Sequence, residues 1–241
     1  MLRVDDIEVR FGGVRAVQGL SLEAPAGRVT GLIGPNGAGK TTLFNVITGL
    51  QKPTGGTVHL GDRDITRTST ARRAKAGLAR TFQRLEVFGS LSVHENVQLA
   101  AELHQGLLRK GSATATASAL LDRVGLGGFA DQPAGILPTG MARLLELARA
   151  LAGRPTVLLL DEPGSGLDEG ECHALGSLLL SLARDGVGVL LVEHDMELVM
   201  RVCEHVYVLD FGQLLAEGTP AEVSADAAVQ TAYLGSASVS A

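Results

Sequence analysis

A chain of 241 residues with a 45% hydrophobic fraction carries enough apolar material for one generous α/β domain, or two closely joined subdomains, without disulfide staples. A net charge of −5 with both signs interspersed excludes the basic footprint of a nucleic-acid binder, and Cys172 and Cys203 lack paired-ligand spacing and fit a reducing compartment. No apolar run reaches the roughly 18 to 20 residues that span a bilayer, and MLRVDDIEVR lacks a signal peptide's apolar stretch, so membrane contact is expected only through a partner.

In chain order, residues 2–11 and 19–24 predict two short strands, and the apolar run at 29–33 predicts a buried strand ending in a glycine-rich turn. A helix is expected from Lys40 to about Gly49. KPTGG at 52–56 marks a turn before another short strand, and Gly77 precedes the strand-like LARTF. From Arg84 to Pro155 the texture becomes helical, in SVHENVQLAAELH, ATASALLDRVGL and GMARLLELARALAG. GSATATASA at 111–119 is compositionally simple and fits either a loose loop or a helix start. Strand and helix then alternate again, with strands at 157–161 and 187–192, a helix at about 170–184 and another from Met196. GSASVSA at the end has no periodic apolar face and is expected to fray. The expected organisation is an α/β core of mixed sheet from residues 1–83 and 156–235, an inserted helical subdomain at 84–155, and a flexible tail at 236–241.

Gly34, Pro35, Asn36, Gly37, Ala38, Gly39, Lys40 and Thr41 spell G-x-x-x-x-G-K-[ST] between an apolar strand and a helix-forming stretch. The glycines free backbone N–H groups to wrap phosphates, and the helix N-terminus adds positive potential. Lys40 then reaches the β and γ phosphates, and Thr41 offers a hydroxyl to Mg²⁺, so the α/β core is expected to be a P-loop NTPase with ATP and Mg²⁺ as cofactors. VLLLDEP at 157–163 delivers two adjacent carboxylates to the C-terminal end of a buried strand, where α/β sheets bind ligands. Asp161 is the candidate Mg²⁺ ligand, through water, and Glu162 is the candidate group that polarises the attacking water.

Gly34 to Thr42, Gln83, LPTG at 137–140 running on to Leu151, Asp161-Glu162, SGLD at 165–168 and His194 occur in the order found in ABC ATPases, which the chain resembles over nearly its whole length. That resemblance implies that Phe11 stacks on adenine and that residues 34–42, Thr42 included, bind nucleotide. It further implies that Gln83 senses the γ-phosphate, the metal and the membrane partner, that Asp168 serves a dimer contact, and that His194 contacts the γ-phosphate in catalysis with Glu162. Each has a plainer reading: Phe11 as core, Gln83 as a solvated polar residue, His194 as a satisfied strand-end histidine. RTFQ at 80–83, ITGLQKPTGGTV, LLVEHDMELVM and VYVLDFGQLLAEGTPAEV are similar to the ATPase subunits of branched-chain amino acid importers, with urea importer and lipopolysaccharide export ATPases as related alternatives.

The partners implied are transmembrane permease subunits, a second ATPase subunit and a binding protein, with the chain peripheral on the cytoplasmic face of the membrane and no nucleic acid involved. The apolar Leu85, Val87 and Phe88 beside Gln83 are the expected docking surface. One departure stands out: the family's Leu-Ser-Gly-Gly-Gln-like signature is Leu137-Pro138-Thr139-Gly140-Met141 here. Pro138 offers neither hydroxyl nor N–H, while Thr139 could still cap the following helix. This favours a heterodimer with a better-signatured ATPase over a homodimer. Other classes considered are a soluble ABC ATPase acting on nucleic acid or the ribosome, and a non-hydrolysing interaction subunit.

Overall fold

A computed structural model describes residues 1–83, 85–105 and 110–237. Strand β1 (Leu2–Phe11) pairs antiparallel with β2 (Val14–Ala24) and with β4 (Gly55–Leu60), which pairs with β5 (Arg63–Asp64), giving a sheet of order β2-β1-β4-β5. The second strand is longer than the sequence predicts, because it starts directly after the Gly12-Gly13 turn, where Gly12 takes φ +58. Register shifts along the β1–β2 pairing break the period-two alternation there and hid its first half.

The second sheet has the order β10-β9-β3-β8-β7-β6, from β3 (Val29–Ile33), β6 (Leu78–Arg80), β7 (Val157–Asp161), β8 (Gly188–Val192), β9 (His205–Asp210) and β10 (Gln213–Gly218). Its pairings are parallel except β9 with β10. β3, β7 and β8 are buried at every residue, as expected of parallel strands covered on both faces.

Helices α1 (Lys40–Thr48) and α2 (Thr70–Lys75) precede β6. The interval between β6 and β7 is helical, with α3 (Val93–Gln105), α4 (Lys110–Arg123) and α5 (Thr139–Ala152). The simple stretch at 111–119 lies within α4, since Ala113, Ala117 and Leu121 recur every four residues and are buried, so small side chains form the inward face. Beyond β7 come α6 (Glu169–Arg184), α7 (Met196–Val202), α8 (Pro220–Ala225) and α9 (Ala227–Ala237). Helix α9 runs through Ala237 and so takes in the first residues of the expected tail; 238–241 lie outside the described residues.

Among the described residues, two apolar cores result. One lies between the two sheets and includes α1, through Leu43, Phe44 and Ile47. The other joins α3, α4, α5 and α6 to the far face of the parallel strands. The strand ends of β3, β7 and β8 therefore emerge from material packed on both sides, a rigid base for the loops that leave them.

Candidate functional site

Where β3 ends at Ile33, the chain turns through three positive-φ glycines, Gly34 (+149), Gly37 (+81) and Gly39 (+105), before α1 begins at Lys40. A Cβ on Gly34 would collide with the Leu209 carbonyl, and one on Gly39 would sit 2.6 Å from the Ala16 carbonyl. Backbone is thus packed against backbone, which only glycine permits. Around Gly37 there is open space, leaving room for a ligand at the mouth of the loop. Lys40 Nζ donates to the carbonyls of Gly34 (2.6 Å) and Pro35 (3.0 Å). Burial lowers the Lys40 pKa from 10.5, while Glu162 and Asp161 pull it back up.

A cleft of about 240 Å³ is lined by Ala16, residues 36–42, Gln83, Asp161, Glu162 and Val192. Residues taken from five separate parts of the sequence meet here. Asp161 is the last residue of β7 and buried; Glu162 follows at φ +51, a conformation costly for a non-glycine residue, and its N–H donates to the Val192 carbonyl at 2.9 Å. His194 leaves β8 on the neighbouring strand, and its Nδ1 lies 4.0 Å from Glu162 Oε2. The His194 side chain is 71% exposed, and its Nδ1 also lies 3.8 Å from Glu193 Oε2. Phe11 is no core residue: it is half exposed at the end of β1, paired with Val14, on the hairpin whose returning strand reaches the cleft at Ala16.

The donor set fits a nucleotide with Mg²⁺. The loop offers backbone N–H groups and a lysine, and Thr41 and Asp161 line the same cleft, where they would supply the one or two protein oxygens with which Mg²⁺ is commonly held beside substrate phosphates. The profile described as ABC transporter matches residues 17–165, and that described as branched-chain amino acid ATP-binding cassette transporter matches residues 213–238. The chain belongs to the ABC transporter family of ATP-binding cassettes. It is 40% identical to the high-affinity branched-chain amino acid transport ATP-binding protein LivG of Salmonella typhimurium and 39% identical to BraF of Pseudomonas aeruginosa, over 98% of this chain and 98% of each relative. A nucleotide-free ATP-binding cassette from an ABC transporter superposes with a TM-score of 0.87 at 32% identity, covering 97% of this chain and 98% of that one. A structure of the ADP conformation of an ABC transporter ATP-binding cassette matches with a TM-score of 0.87 at 33% identity, covering 98% of both chains.

The signature region of this cassette differs from expectation in one respect. Pro138, not Thr139, occupies the N-cap of α5, and no side chain closes the cap. Thr139 is already the first helical residue, so its hydroxyl is past the position from which an N-cap accepts. The segment packs on SGLD of the same chain: a Cβ on Gly140 would sit 2.6 Å from Leu167 Cδ2 and 3.1 Å from the Gly166 carbonyl. Asp168 caps α6 in a reciprocal box with Glu171.

Three parts of the cassette's site were not read from the sequence. Arg80 donates to Asp161 Oδ2 (2.9 Å) and Asn45 Oδ1 (2.6 Å), with Phe82 and Phe44 rings 4.8 and 5.3 Å from its guanidinium carbon. Glu193 is buried at the end of β8, where burial raises its pKa and the N–H groups of Gly164, His194 and Asp195 lower it. Helix α5 grips the Gln83 loop: Arg143 donates to the carbonyls of Phe82 and Gln83, Arg149 to that of Glu86, and Glu146 accepts from the Glu86 N–H at 2.6 Å. A lone arginine or glutamate in sequence reads as a solvated charge; the sole available signal was a charge beside apolar strand residues.

Of the expected docking residues, Phe88 is exposed beside the Arg149 guanidinium, whereas Leu85 and Val87 are partly buried, Val87 against the helical core. Phe82, Leu50 and Leu103 are exposed as well, along a groove of about 740 Å³ that Arg80 also lines.

Proposed function

We propose that the chain is the ATP-hydrolysing subunit of a transporter for branched-chain amino acids, peripheral on the cytoplasmic face of its membrane. The observation that carries this is the convergence of Lys40, Gln83, Asp161 and Glu162 in one cleft, with His194 at its edge. Among the described residues no helix is long and apolar enough to cross a membrane, so the solute path belongs to permease subunits, and a binding protein supplies the solute. The names of the LivG and BraF relatives, and the branched-chain profile on residues 213–238, support the solute class.

In this reading residues 34–42 wrap the phosphates, Phe11 stacks on adenine, and Lys40 exchanges the carbonyls of Gly34 and Pro35 for β and γ phosphate oxygens. Thr41, Asp161 and Gln83 hold Mg²⁺, which when bound offsets the charge of the phosphates. Glu162 orients the attacking water and accepts its proton, and His194 donates to the γ-phosphate as charge moves onto it. The permease docks in the groove at Phe82, Leu50 and Leu103, next to the loop that α5 grips. Because Pro138 removes both hydroxyl and N–H from the signature, a second cassette with an intact signature completes the competent site.

Vesicles containing the permease, binding protein, second cassette and this chain test the proposal. ATP inside should drive uptake of leucine, isoleucine or valine, and Lys40→Ala should abolish it. ATP-dependent uptake that persists with Lys40→Ala, or none of these solutes transported, would contradict it.

A further inference from the structure

β7 and β8 end together, and the two side chains that do the hydrolytic work leave the sheet just past their last pairing. The parallel register runs to Asp161 opposite Val192, and the Glu162 N–H adds one more bond to the Val192 carbonyl at 2.9 Å. Beyond that point the backbones part. One turns through Pro163 and Gly164 toward the SGLD segment, and the other passes His194 to Asp195, which caps α7.

Glu193 bridges the gap. Its Oε1 accepts the Gly164 N–H at 2.7 Å, and its Oε2 accepts those of His194 at 3.1 Å and Asp195 at 3.5 Å. The side chain is 1% exposed, so no water replaces these bonds if they are lost. Gly164 comes so close that a Cβ on it would lie 2.9 Å from Glu193 Oε1. From Gly164 the restraint is passed on within a tight turn, since Ser165 N–H donates to the Glu162 carbonyl and Leu167 N–H to the Gly164 carbonyl. The arrangement needs an acceptor on both sides. A carboxylate supplies two oxygens, whereas an amide supplies one and turns an N–H₂ toward amide N–H groups on the other.

We propose that Glu193 is the positioning residue that holds His194 and the Glu162–Asp168 segment in one register for ATP hydrolysis, touching neither nucleotide nor water itself. This rests on the reading of Glu162 and His194 as the hydrolytic pair.

The test uses the complete assembly with Glu193→Gln, Glu193→Ala and each combined with His194→Ala. Glu193→Ala should lower kcat by about 10²-fold, as expected when catalytic groups are displaced, and Glu193→Gln by less. ATP affinity and KM should stay within about twofold of wild type. On the His194→Ala background, adding Glu193→Gln should cost clearly less than it does alone, because part of its effect runs through His194. Wild-type kcat in Glu193→Gln overturns the proposal, as does a loss that appears equally in ATP affinity, or one that is fully additive with His194→Ala. If Glu193→Ala does not fold, the near-isosteric Glu193→Gln decides alone. Should His194→Ala and Glu162→Gln themselves turn over like wild type, the hydrolytic reading fails, and Glu193 falls with it.

Discussion

Replacing Arg80 with methionine keeps much of the side chain's apolar stem and removes its charge. In the native chain Arg80 and Asp161 are 5% and 3% exposed at the side chain, so this is a buried ion pair, not a surface one. Removing one partner of such a pair costs about 3–5 kcal/mol, because the other charge stays buried and uncompensated. Loss of the Asn45 hydrogen bond and of the contacts to the Phe44 and Phe82 rings adds to this. Lys40, whose charged form Asp161 favours, supplies part of the missing counter-charge and pulls the figure toward the lower end, about 3 kcal/mol. In a chain of this length that corresponds to a fall in Tm of roughly 6–12 °C. Urea unfolding without nucleotide and with chelator isolates the pair from Mg²⁺. Combined with Asp161→Asn, the double variant should be at least about 2 kcal/mol more stable than the sum of the singles predicts. A single-variant loss below about 1 kcal/mol, or strict additivity, would refute a structural ion pair beneath the site.

Burial raises the Glu146 carboxyl above its usual 4.5, against the pull of the Glu86 amide and of Arg143 and Arg149. Its contribution to stability is therefore fully present below pH 4.5 and lost as pH rises through the raised folded-state value, so wild type should lose ground to Glu146→Gln across that window; a pH-independent difference between the two speaks against it. Gly34→Ala should cost about 1–3 kcal/mol from its φ of +149 alone, with more from the Leu209 carbonyl, and a variant that unfolds at the wild-type urea concentration would contradict this packing. Pro138→Ser with Met141→Gln should raise ATP turnover of the isolated chain while changing that of a mixed two-cassette complex little. An unmodified chain that alone matches the full assembly would show that the altered signature is tolerated.

The P-loop was legible because its chemistry is local: glycines, lysine and threonine sit within eight positions, flanked by a strand and a helix that the apolar pattern also marks. Asp161 and Glu162 were legible for the same reason, as a polar pair ending a wholly buried run. Arg80 was not, since its partner lies 81 residues away and nothing in RTFQ marks the arginine as buried. Glu193 hid in VEHD, where it reads as one more charge at a strand end. Only the start of α4, the simple stretch at 111–119, fits loop or helix equally in sequence, because its inward face is alanine, which carries little periodic signal, and the first half of β2 is hidden where the β1–β2 register shifts. Thr139 illustrates the opposite error: a good capping residue one position too late, its place taken by Pro138.

In the proposed reaction Glu162 is the base for ATP hydrolysis, in a cleft that binds nucleotide independently of it. Phosphate release and ATP affinity of the assembled transporter carrying Glu162→Gln, which keeps the side chain's shape and removes its basic oxygen, separate these two roles. Turnover at the site built on this chain should fall by about 10²–10⁴-fold while ATP affinity is kept. Phosphate release from that site at the wild-type rate would rule out Glu162 as the base.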